Sequence, residues 1–353
     1  MSKRGRRIAV GVSGAAAGAA LVAAGCALSA PRWRGPVSDH FDGRRFHSAE
    51  PREGRFGDFL RWMTHRERGP WRKFTDAPPA PPPPRRVVNG VLRVTFVNHS
   101  TVLLQLDGVN VLTDPVWSER VSPFSWAGPR RHRPPGVRFE DLPPIDAVLV
   151  SHNHYDHMDL ATLRRLARER RPRVFVPLGN SAFLAKHGVP GSRDLDWWES
   201  EAVAGGVSVT AVPARHFSSR SLFDGNRTLW CGFVISGPSG SVYFAGDTGW
   251  GAHFAAIHER FPALRLALLP IGAYRPRWFM APAHMDPEEA MRAHETLRPG
   301  TSVAIHFGTF AQADDGEDEP LTDLRAALER RSDPAPRFLA LGNGESLDVP
   351  PLK

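Results

Sequence analysis

Cysteine is scarce in this chain of 353 residues, which contains only Cys26 and Cys231. A disulfide-stapled scaffold needs a larger set of cysteines, and Cys-rich zinc or iron–sulfur sites need several thiolates. Both classes are therefore excluded. A metal site in this protein would have to use imidazole and carboxylate ligands, and the 15 histidines supply ample imidazole.

Excess positive charge is missing from most of the chain, although the net charge is +8. Residues 1–86 contain 17 Lys and Arg against 7 Asp and Glu, whereas the remaining residues contain 28 against 30. The basic excess therefore belongs to an N-terminal arm, and the body lacks the basic surface that nucleic-acid binding requires. A basic arm is typical of binding to nucleic acid or to an anionic membrane surface, and the apolar run that follows the first basic residues favours the membrane, so we expect no nucleic-acid partner.

Charged residues are absent from the 23-residue run Ile8–Ala30, which follows a cluster of Lys and Arg at residues 3–7. The run is long enough to span a bilayer. A basic start, an apolar stretch and small residues at its end are also typical of a cleaved signal peptide, and Cys26 leaves a lipoprotein open. We assign residues 1–30 to a membrane anchor or signal peptide and expect an exported, membrane-associated protein.

Regular periodicity is weak in residues 31–86, which form the basic, Pro-rich arm. The arm ends in APPAPPPP (residues 77–84), a sequence that predicts a stiff polyproline II spacer. Within the arm, FGDFLRWM (residues 56–63) is amphipathic. Two interpretations of this piece remain open, since it could lie on a lipid surface or pack as a cap on the main domain.

Alternating apolar residues begin at Val87, and residues 87–353 form the predicted catalytic domain. Predicted strands cover residues 92–96, 102–106, 109–112, 147–150, 173–176, 207–212, 230–235, 242–245, 266–269 and 303–306, and predicted helices cover 159–170, 253–261 and 287–297. Asp107-Gly108 predicts a tight hairpin. Antiparallel runs followed by interspersed helices favour a layered α/β domain with helices outside two sheets.

The segment SHNHYDH (residues 151–157) directly follows the apolar strand IDAVLV. In an extended chain His152 and His154 project to the same side, so both imidazoles can bind one metal ion. The helix that begins near Asp159 turns the chain and re-aims Asp156 and His157. Those two side chains are therefore candidates for a second metal ion a few ångströms away.

Further donors follow later buried strands in the same way. His216 follows SVTAVPAR, Asp247 follows VYFAG, and His306 follows SVAI. Asp247 is the only acidic residue directly after a buried strand in its stretch. Two metal ions need more donors than residues 152–157 supply, and these three residues are the candidates for the remainder.

These motifs resemble the metallo-β-lactamase fold superfamily, and within it the branch of N-acylphosphatidylethanolamine-hydrolysing phospholipases D. The segments that carry the resemblance are LTDP (112–115), PPIDAVLVSHNHYDHMD (143–159), FVPLG (175–179), DWW (196–198), AGDTG (245–249), PIGAYRPRWFM (270–280), HMDPEEA (284–290) and AIHFGTFA (304–311). The resemblance extends from about Leu92 to Ser346 and implies a four-layer αββα sandwich in a bacterial member of the branch.

The resemblance also implies a dizinc centre. One Zn²⁺ would bind His152, His154 and His216, the other would bind Asp156, His157 and His306, and Asp247 would bridge both. The implied reaction is phosphodiester hydrolysis of N-acylphosphatidylethanolamine to N-acylethanolamine and phosphatidic acid. We assign Asp247, Asp156 and His284 to catalysis, expect a phospholipid substrate and a membrane surface as partners, and leave a homodimer open.

Residues around the predicted centre are assigned supporting roles. Asp114 would either orient a ligand imidazole or cap its own turn, and His99 matches a family position after the first strand. His284 would contact the substrate phosphate or cap the following helix. The loop that carries Tyr274, Arg277 and Trp278 combines cations with large rings and is assigned, with His284, to substrate binding.

Two other functions remain as alternatives. One is a lactonase-type or other small-molecule hydrolase on the same fold. The other is a binding protein that holds metal without catalysis, although the complete set of seven candidate ligands argues against it.

Overall fold

The computed structural model describes residues 29–48, 50, 56–331 and 336–352. The predicted anchor or signal peptide (residues 1–30), including Cys26, therefore lies outside the described residues except for its last two positions. Within the described ranges, no helix combines the length and the apolar character needed to cross a bilayer.

Fourteen strands in the described part of the chain form two seven-stranded sheets. The strands are β1 Leu92–Asn98, β2 Thr101–Leu106, β3 Val109–Thr113, β4 Ala147–Leu149, β5 Arg173–Pro177, β6 Arg193–Leu195, β7 Ser200–Ala204, β8 Val207–Val212, β9 Gly232–Gly237, β10 Gly240–Phe244, β11 Leu264–Pro270, β12 Thr301–Ile305, β13 Phe338–Leu339 and β14 Ser346–Val349. The first sheet has the order β14-β1-β2-β3-β4-β5-β6, and the second has the order β13-β12-β11-β10-β9-β8-β7.

Seven α-helices are described: α1 Phe56–Thr64, α2 Leu160–Glu169, α3 Asn180–Lys186, α4 His253–Arg260, α5 Arg277–Met280, α6 Pro287–Leu297 and α7 Glu319–Glu329. The Asp159 side chain accepts the Ala161 N–H at the start of α2, as its cap position predicts. At the start of α6, Asp286 and Glu289 form a capping box, followed by Pro287 at the first turn.

Each sheet changes from antiparallel to parallel pairing at one strand. In the first sheet β1, β2 and β3 pair antiparallel and β3 to β6 pair parallel, and in the second β7 to β10 pair antiparallel and β10 to β13 pair parallel. The β2–β3 turn places Asp107 and Gly108 at positive φ, which confirms the predicted hairpin.

Alternation along the first sheet separates two apolar layers. In β2, Leu104 belongs to the large core that the two sheets share, whereas its neighbour Leu103 belongs to a second cluster with Leu163 and Leu166 of α2. Successive strand residues point to opposite faces. On the far side, Met291 of α6 joins the shared core. The layer order is therefore helix, sheet, sheet, helix, which confirms the predicted α/β sandwich.

The arm lies against this domain. The Trp62 side chain of α1 is buried with Phe279 and Met280, and further along the arm the Thr75 N–H donates to the His132 carbonyl. The predicted polyproline spacer also contacts the domain, because the Ala80 N–H donates to the Gly136 carbonyl. Residues 77–84 therefore follow the domain surface instead of extending away from it as a separate tether.

Candidate metal centre and catalytic cavity

Three imidazoles meet at the end of strand β4. Nε2 of His152 lies 2.8 Å from Nδ1 of His154, and Nε2 of His216 lies 3.3 Å from the same atom. His152 and His154 come from the loop after β4, and His216 comes from the loop after β8. The two sheets therefore bring their strand ends together, and the cluster has the size and the ligand type of a metal site.

A second cluster lies beside the first. Oδ2 of Asp156 lies 3.0 Å from Nε2 of His157 and 3.5 Å from Nε2 of His306. Nε2 of His99 also lies 3.0 Å from this oxygen, and its ring centroid is 4.1 Å from that of His306. The hydrogen bond places His99 beside Asp156, and its supporting role stays a prediction.

Asp247 lies between the two clusters. Its Oδ2 is 3.2 Å from Nε2 of His157, 3.1 Å from Nε2 of His306 and 3.8 Å from Nε2 of His216. Gly246 precedes it at φ +60, and a Cβ at Gly246 would lie 2.5 Å from the Cβ of Ser151. A glycine is therefore required for the Asp247 segment to approach the β4 loop.

Asp114 fixes the orientation of the β4 loop. Its Oδ2 accepts the His157 Nδ1–H at 2.6 Å and the Ser151 Oγ–H at 2.6 Å, while its Oδ1 accepts the Ser151 backbone N–H at 2.7 Å. With Nδ1 bonded to Asp114, Nε2 of His157 is directed towards Asp156 and Asp247. Of the two roles predicted for Asp114, these contacts correspond to the orientation of an imidazole.

Burial and charge set the protonation preferences of the site. Burial lowers the pKa of His152 and of His216 well below its usual value, so both imidazoles are neutral. Burial opposes ionisation of Asp247, but the imidazoles of His157 and His306 hold its pKa well below the usual range. For His306, burial is outweighed by Asp247 and Asp156, which raise the pKa to about 9.

The donor set fits metal ions because several of its buried atoms have no hydrogen-bond partner among the described residues. Oδ1 of Asp247 is one such atom, and Nε2 of His157 and Nε2 of His306 are two more, because they meet carboxylate oxygens at 3.0–3.2 Å as ion pairs without the geometry of a hydrogen bond. An unpaired buried polar atom is costly. The neutral imidazoles of His152 and His216 and the ionised carboxylate of Asp247 are already in the protonation states that bind divalent metal ions, whereas a metal ion would displace the proton that neighbouring carboxylates favour on His306. Metal coordination would therefore give these buried polar atoms the partners that the protein itself does not supply.

A cavity of about 610 Å³ opens onto both clusters. Its floor contains His154, Asp156, Asp247, His284 and His306, and its walls are mainly apolar, with Phe59, Trp62, Val121, Tyr155, Phe217, Leu222, Ala273, Phe279, Met280 and Ala283. Its volume falls within the range of small-molecule sites, and a few polar groups converge within apolar walls.

A model of the β-lactamase superfamily domain matches residues 109–307, which is more than half of the chain. The chain belongs to the β-lactamase superfamily. It is 46% identical over 243 residues to an uncharacterized protein of Mycobacterium tuberculosis, across 67% of this chain and 64% of that protein. The chain thus spans slightly less than two thirds of the length of this relative.

Other relatives of this superfamily member have names that describe an activity. It is 41% identical over 254 residues to N-acyl-phosphatidylethanolamine-hydrolyzing phospholipase D 1 of Caenorhabditis elegans, across 69% of this chain and 71% of the worm protein. It is 32% identical over 232 residues to a metal-dependent hydrolase of Methanopyrus kandleri, across 65% and 89% of the two chains. The structure of Igni18, a metallo hydrolase from Ignicoccus hospitalis, superimposes with a TM-score of 0.54 at 25% identity, across 73% and 97%. The predicted superfamily is confirmed.

His284 lies at the cavity floor, with its Nδ1 3.8 Å from Oδ2 of Asp247. The capping alternative for His284 is wrong, because Asp286 provides the cap of α6. Burial lowers the pKa of His284 to about 3, so its ring is neutral. The preceding residue also serves the site, since the Ala283 carbonyl lies 3.0 Å from Nδ1 of His216 and directs Nε2 of that imidazole towards the cluster.

The loop assigned to substrate binding has a different placement from the one that the sequence predicts. Tyr274 and Arg277 line a separate, charged cavity of about 480 Å³. The Tyr274 hydroxyl donates to Asp323 at 2.6 Å, and Arg277 pairs with Glu289 at 2.6 Å and donates to the His284 carbonyl at 2.9 Å. These contacts hold both side chains away from the main cavity, so we withdraw their assignment to substrate binding there.

Trp278 lies outside the main cavity, and buried Arg220 is a feature of the site that the sequence analysis missed. Trp278 is half exposed, with the Arg61 guanidinium 4.9 Å from its ring centroid, and it does not line the main cavity. Buried Arg220 donates to the carbonyls of Asn153 and Met158, so it ties both ends of the metal-site loop. Of the two interpretations of the amphipathic residues 56–63, the structure agrees with the cap, because Trp62 packs against the domain and the helix contributes cavity walls.

Proposed function

We propose that this superfamily member is a metal-dependent phosphodiesterase that hydrolyses N-acylphosphatidylethanolamine. The observation that carries the proposal is an apolar cavity that ends on the two His and Asp clusters. Burial of an acyl chain against apolar walls is favourable, and paired metal sites suit phosphodiester hydrolysis. The 41% identity to the worm phospholipase D supports the same substrate.

The proposed cofactor is a pair of zinc ions. His152, His154 and His216 would hold one ion, and Asp156, His157 and His306 would hold the other, with Asp247 between them. Bound zinc supplies a water nucleophile at neutral pH and neutralises charge on the phosphoryl oxygens. Substrate binding and orientation of the reacting groups are assigned to side chains of the protein.

In the proposed reaction, a water oxygen bonds to phosphorus and the P–O bond to the ethanolamine oxygen breaks. The water loses a proton and the leaving alkoxide gains one, which gives phosphatidic acid and N-acylethanolamine. Asp156 and Asp247 hold ionised carboxylates at the cavity floor and would orient the attacking water by accepting a hydrogen bond from it. His284 lies beside Asp247 and is placed to donate a hydrogen bond from its neutral ring to the phosphoryl group.

We also infer that the substrate enters from a membrane surface. Leu60 and Met63 of α1 are half exposed, and Leu222, which lines the cavity, is 87% exposed. Exposed apolar residues beside an apolar cavity suit contact with lipid. Export and anchoring through residues 1–30 fit the same proposal.

The test is a lipid panel with mass-spectrometric detection of products. Full-length zinc-loaded protein should release N-acylethanolamine from N-acylphosphatidylethanolamine faster than it releases choline from phosphatidylcholine. The Asp247→Asn variant is the matched control for a contaminating activity, and it should release little of either product. Rapid opening of lactones without cleavage of any phosphodiester would instead establish the alternative small-molecule hydrolase.

A further inference from the structure

One wall of the catalytic cavity comes from outside the shared superfamily domain. Phe59 and Trp62 belong to α1 and line the cavity, whereas the superfamily match begins at residue 109. The candidate metal ligands on the cavity floor all lie within the match. The arm therefore completes the cavity walls without contributing to the candidate metal centre.

Trp62 packs against residues of the domain, so that the arm and the domain form one continuous apolar surface. Its ring centroid lies 5.1 Å from that of Phe279, nearly parallel to it, and Met280, Ala273 and Ala313 pack in the same buried cluster. Phe279 and Met280 also line the cavity, while Phe59 extends the surface outward, with its ring centroid 6.0 Å from that of Trp62. The wall therefore runs from the loop before His284 to the exposed side of α1.

A buried carboxylate holds this wall in place. Oδ2 of Asp314 accepts the Trp62 Nε1–H at 3.2 Å, and Oδ1 accepts the Arg66 Nε–H at 2.6 Å. The Arg66 guanidinium lies 4.3 Å from the Trp62 ring centroid, and the Asp314 carbonyl accepts the Gly69 N–H. Charge-assisted bonds of this kind fix geometry more strongly than neutral ones. Asp314 therefore fixes both the Trp62 ring and the chain that leaves α1.

We propose that Phe59 and Trp62 determine the acyl-chain specificity of the enzyme and that Asp314 is the positioning residue that holds them. The proposal rests on the proposed function, which supplies an acyl chain as the occupant. A long chain that leaves the metal centre gains affinity when its distal methylenes contact the α1 wall. A short acyl chain ends before it reaches the α1 wall and therefore gains no affinity from that contact.

Equilibrium binding tests the wall without any need for turnover. The probes are N-butanoyl-, N-octanoyl- and N-dodecanoylethanolamine, titrated calorimetrically into the full-length metal-loaded protein. We expect affinity to rise with chain length in the wild type. Phe59→Ala should lower the ratio of dodecanoyl to butanoyl affinity by about tenfold, because an apolar contact discriminates by about this factor.

Matched variants separate positioning from folding. Asp314→Asn and Arg66→Gln each weaken the ion pair that holds Trp62 in place, and both should lower the ratio of dodecanoyl to butanoyl affinity. In turnover, both should raise KM for a long-chain substrate more than they lower kcat. Asp318→Asn removes an exposed ion pair with Arg72 of the same arm and should keep the wild-type ratio. Far-ultraviolet circular dichroism and thermal unfolding report whether each variant is folded.

The outcomes distinguish the two proposals. An unchanged affinity ratio in folded Phe59→Ala protein, or an equal loss in Asp318→Asn, overturns the acyl wall. Absence of phosphodiester hydrolysis by the wild type overturns the proposed function. In that case the affinity ratios still decide whether the α1 wall binds an acyl chain.

Discussion

The carboxylate of Asp114 and the imidazole of His157 face each other in the interior, with Oδ2 2.6 Å from Nδ1 and neither side chain reached by solvent. The contact orients the ring so that Nε2 of His157 is directed towards Asp156 and Asp247, the position from which it would bind a metal ion. An acidic residue on the loop after β3 thereby sets the geometry of a metal-binding candidate on the loop after β4.

Replacement of Asp114 by Asn should weaken metal binding at the second cluster. Asn retains the size of the side chain and tolerates the positive φ of this position, but it accepts the imidazole hydrogen more weakly. Loss of such a supporting contact costs about 10–100-fold in metal affinity. Competition with a chelator of known affinity measures the change. Asp348→Asn, on an exposed strand, is the control, and equal affinities in the two variants would contradict the prediction.

The Asp247→Asn substitution should lower both metal content and turnover. A neutral amide cannot bridge two cations as a carboxylate does, so elemental analysis should find fewer zinc ions per chain than in the wild type. Turnover should fall by at least about a hundredfold, the scale expected when a principal electrostatic group is lost. Asp323→Asn, on α7, is the matched control. A fully active Asp247→Asn enzyme would exclude the dinuclear mechanism.

Arg277 should act on turnover through His284. The guanidinium of Arg277 donates to the His284 carbonyl and is held by Glu289, so Arg277→Gln releases the loop that carries His284. We expect kcat to fall by about tenfold, because small displacements of a catalytic group are costly. In a double-mutant cycle with His284→Ala, the two losses should not add. Strict additivity would show that Arg277 acts independently.

Glu288 should stabilise the protein in a pH-dependent way. Its carboxylate bridges Arg330 and Arg331 at 2.6 Å each, and the bond from Arg331 contributes most to lowering its pKa to about 2. A depressed pKa gives stability that is present above the unfolded value near 4.5 and is lost as the pH falls towards 2.

Because Glu288 is partly exposed, solvent screening limits this contribution, and Glu288→Gln should cost only about 0.5–1 kcal/mol of unfolding free energy at neutral pH. Urea unfolding of wild type and variant should converge as the pH is lowered below 4.5. Glu329→Gln on α7 is the control. A difference between wild type and Glu288→Gln that grows on acidification would contradict the linkage.

Membrane association should depend on salt only when the apolar run is missing. A chain beginning at Pro31 should bind anionic vesicles at low salt and be released at high salt, because charge attraction is screened. The full-length chain should stay bound in the same high-salt wash if it retains residues 8–30. Vesicle sedimentation measures both. Failure of the full-length chain to associate with membranes would contradict the anchor.

The donors of the candidate site were predictable because they follow strands whose pattern is local. Alternating apolar residues predict β4, β8, β10 and β12, and adjoining strand ends place His152, His216, Asp247 and His306 near one edge. By contrast, β7 and α7 were missed, as were the short elements α3, α5, β6, β13 and β14. The strand Ser200–Ala204 is only partly buried, and α7 buries few of its residues, so neither has a strong apolar period.

The sequence by itself determined the ligand types, their spacing and the strands that carry them, because these depend on residues close together in the chain. Only the tertiary structure decided that Arg277 pairs with Glu289 and supports His284, and that Asp314 holds Trp62 across a separation of 252 residues. The sequence pattern of a cation beside aromatic rings is the same whether the cation contacts a substrate or a carboxylate of the protein itself. Which partner it meets depends on how distant segments pack, and that packing minimises unpaired buried charge over the whole fold.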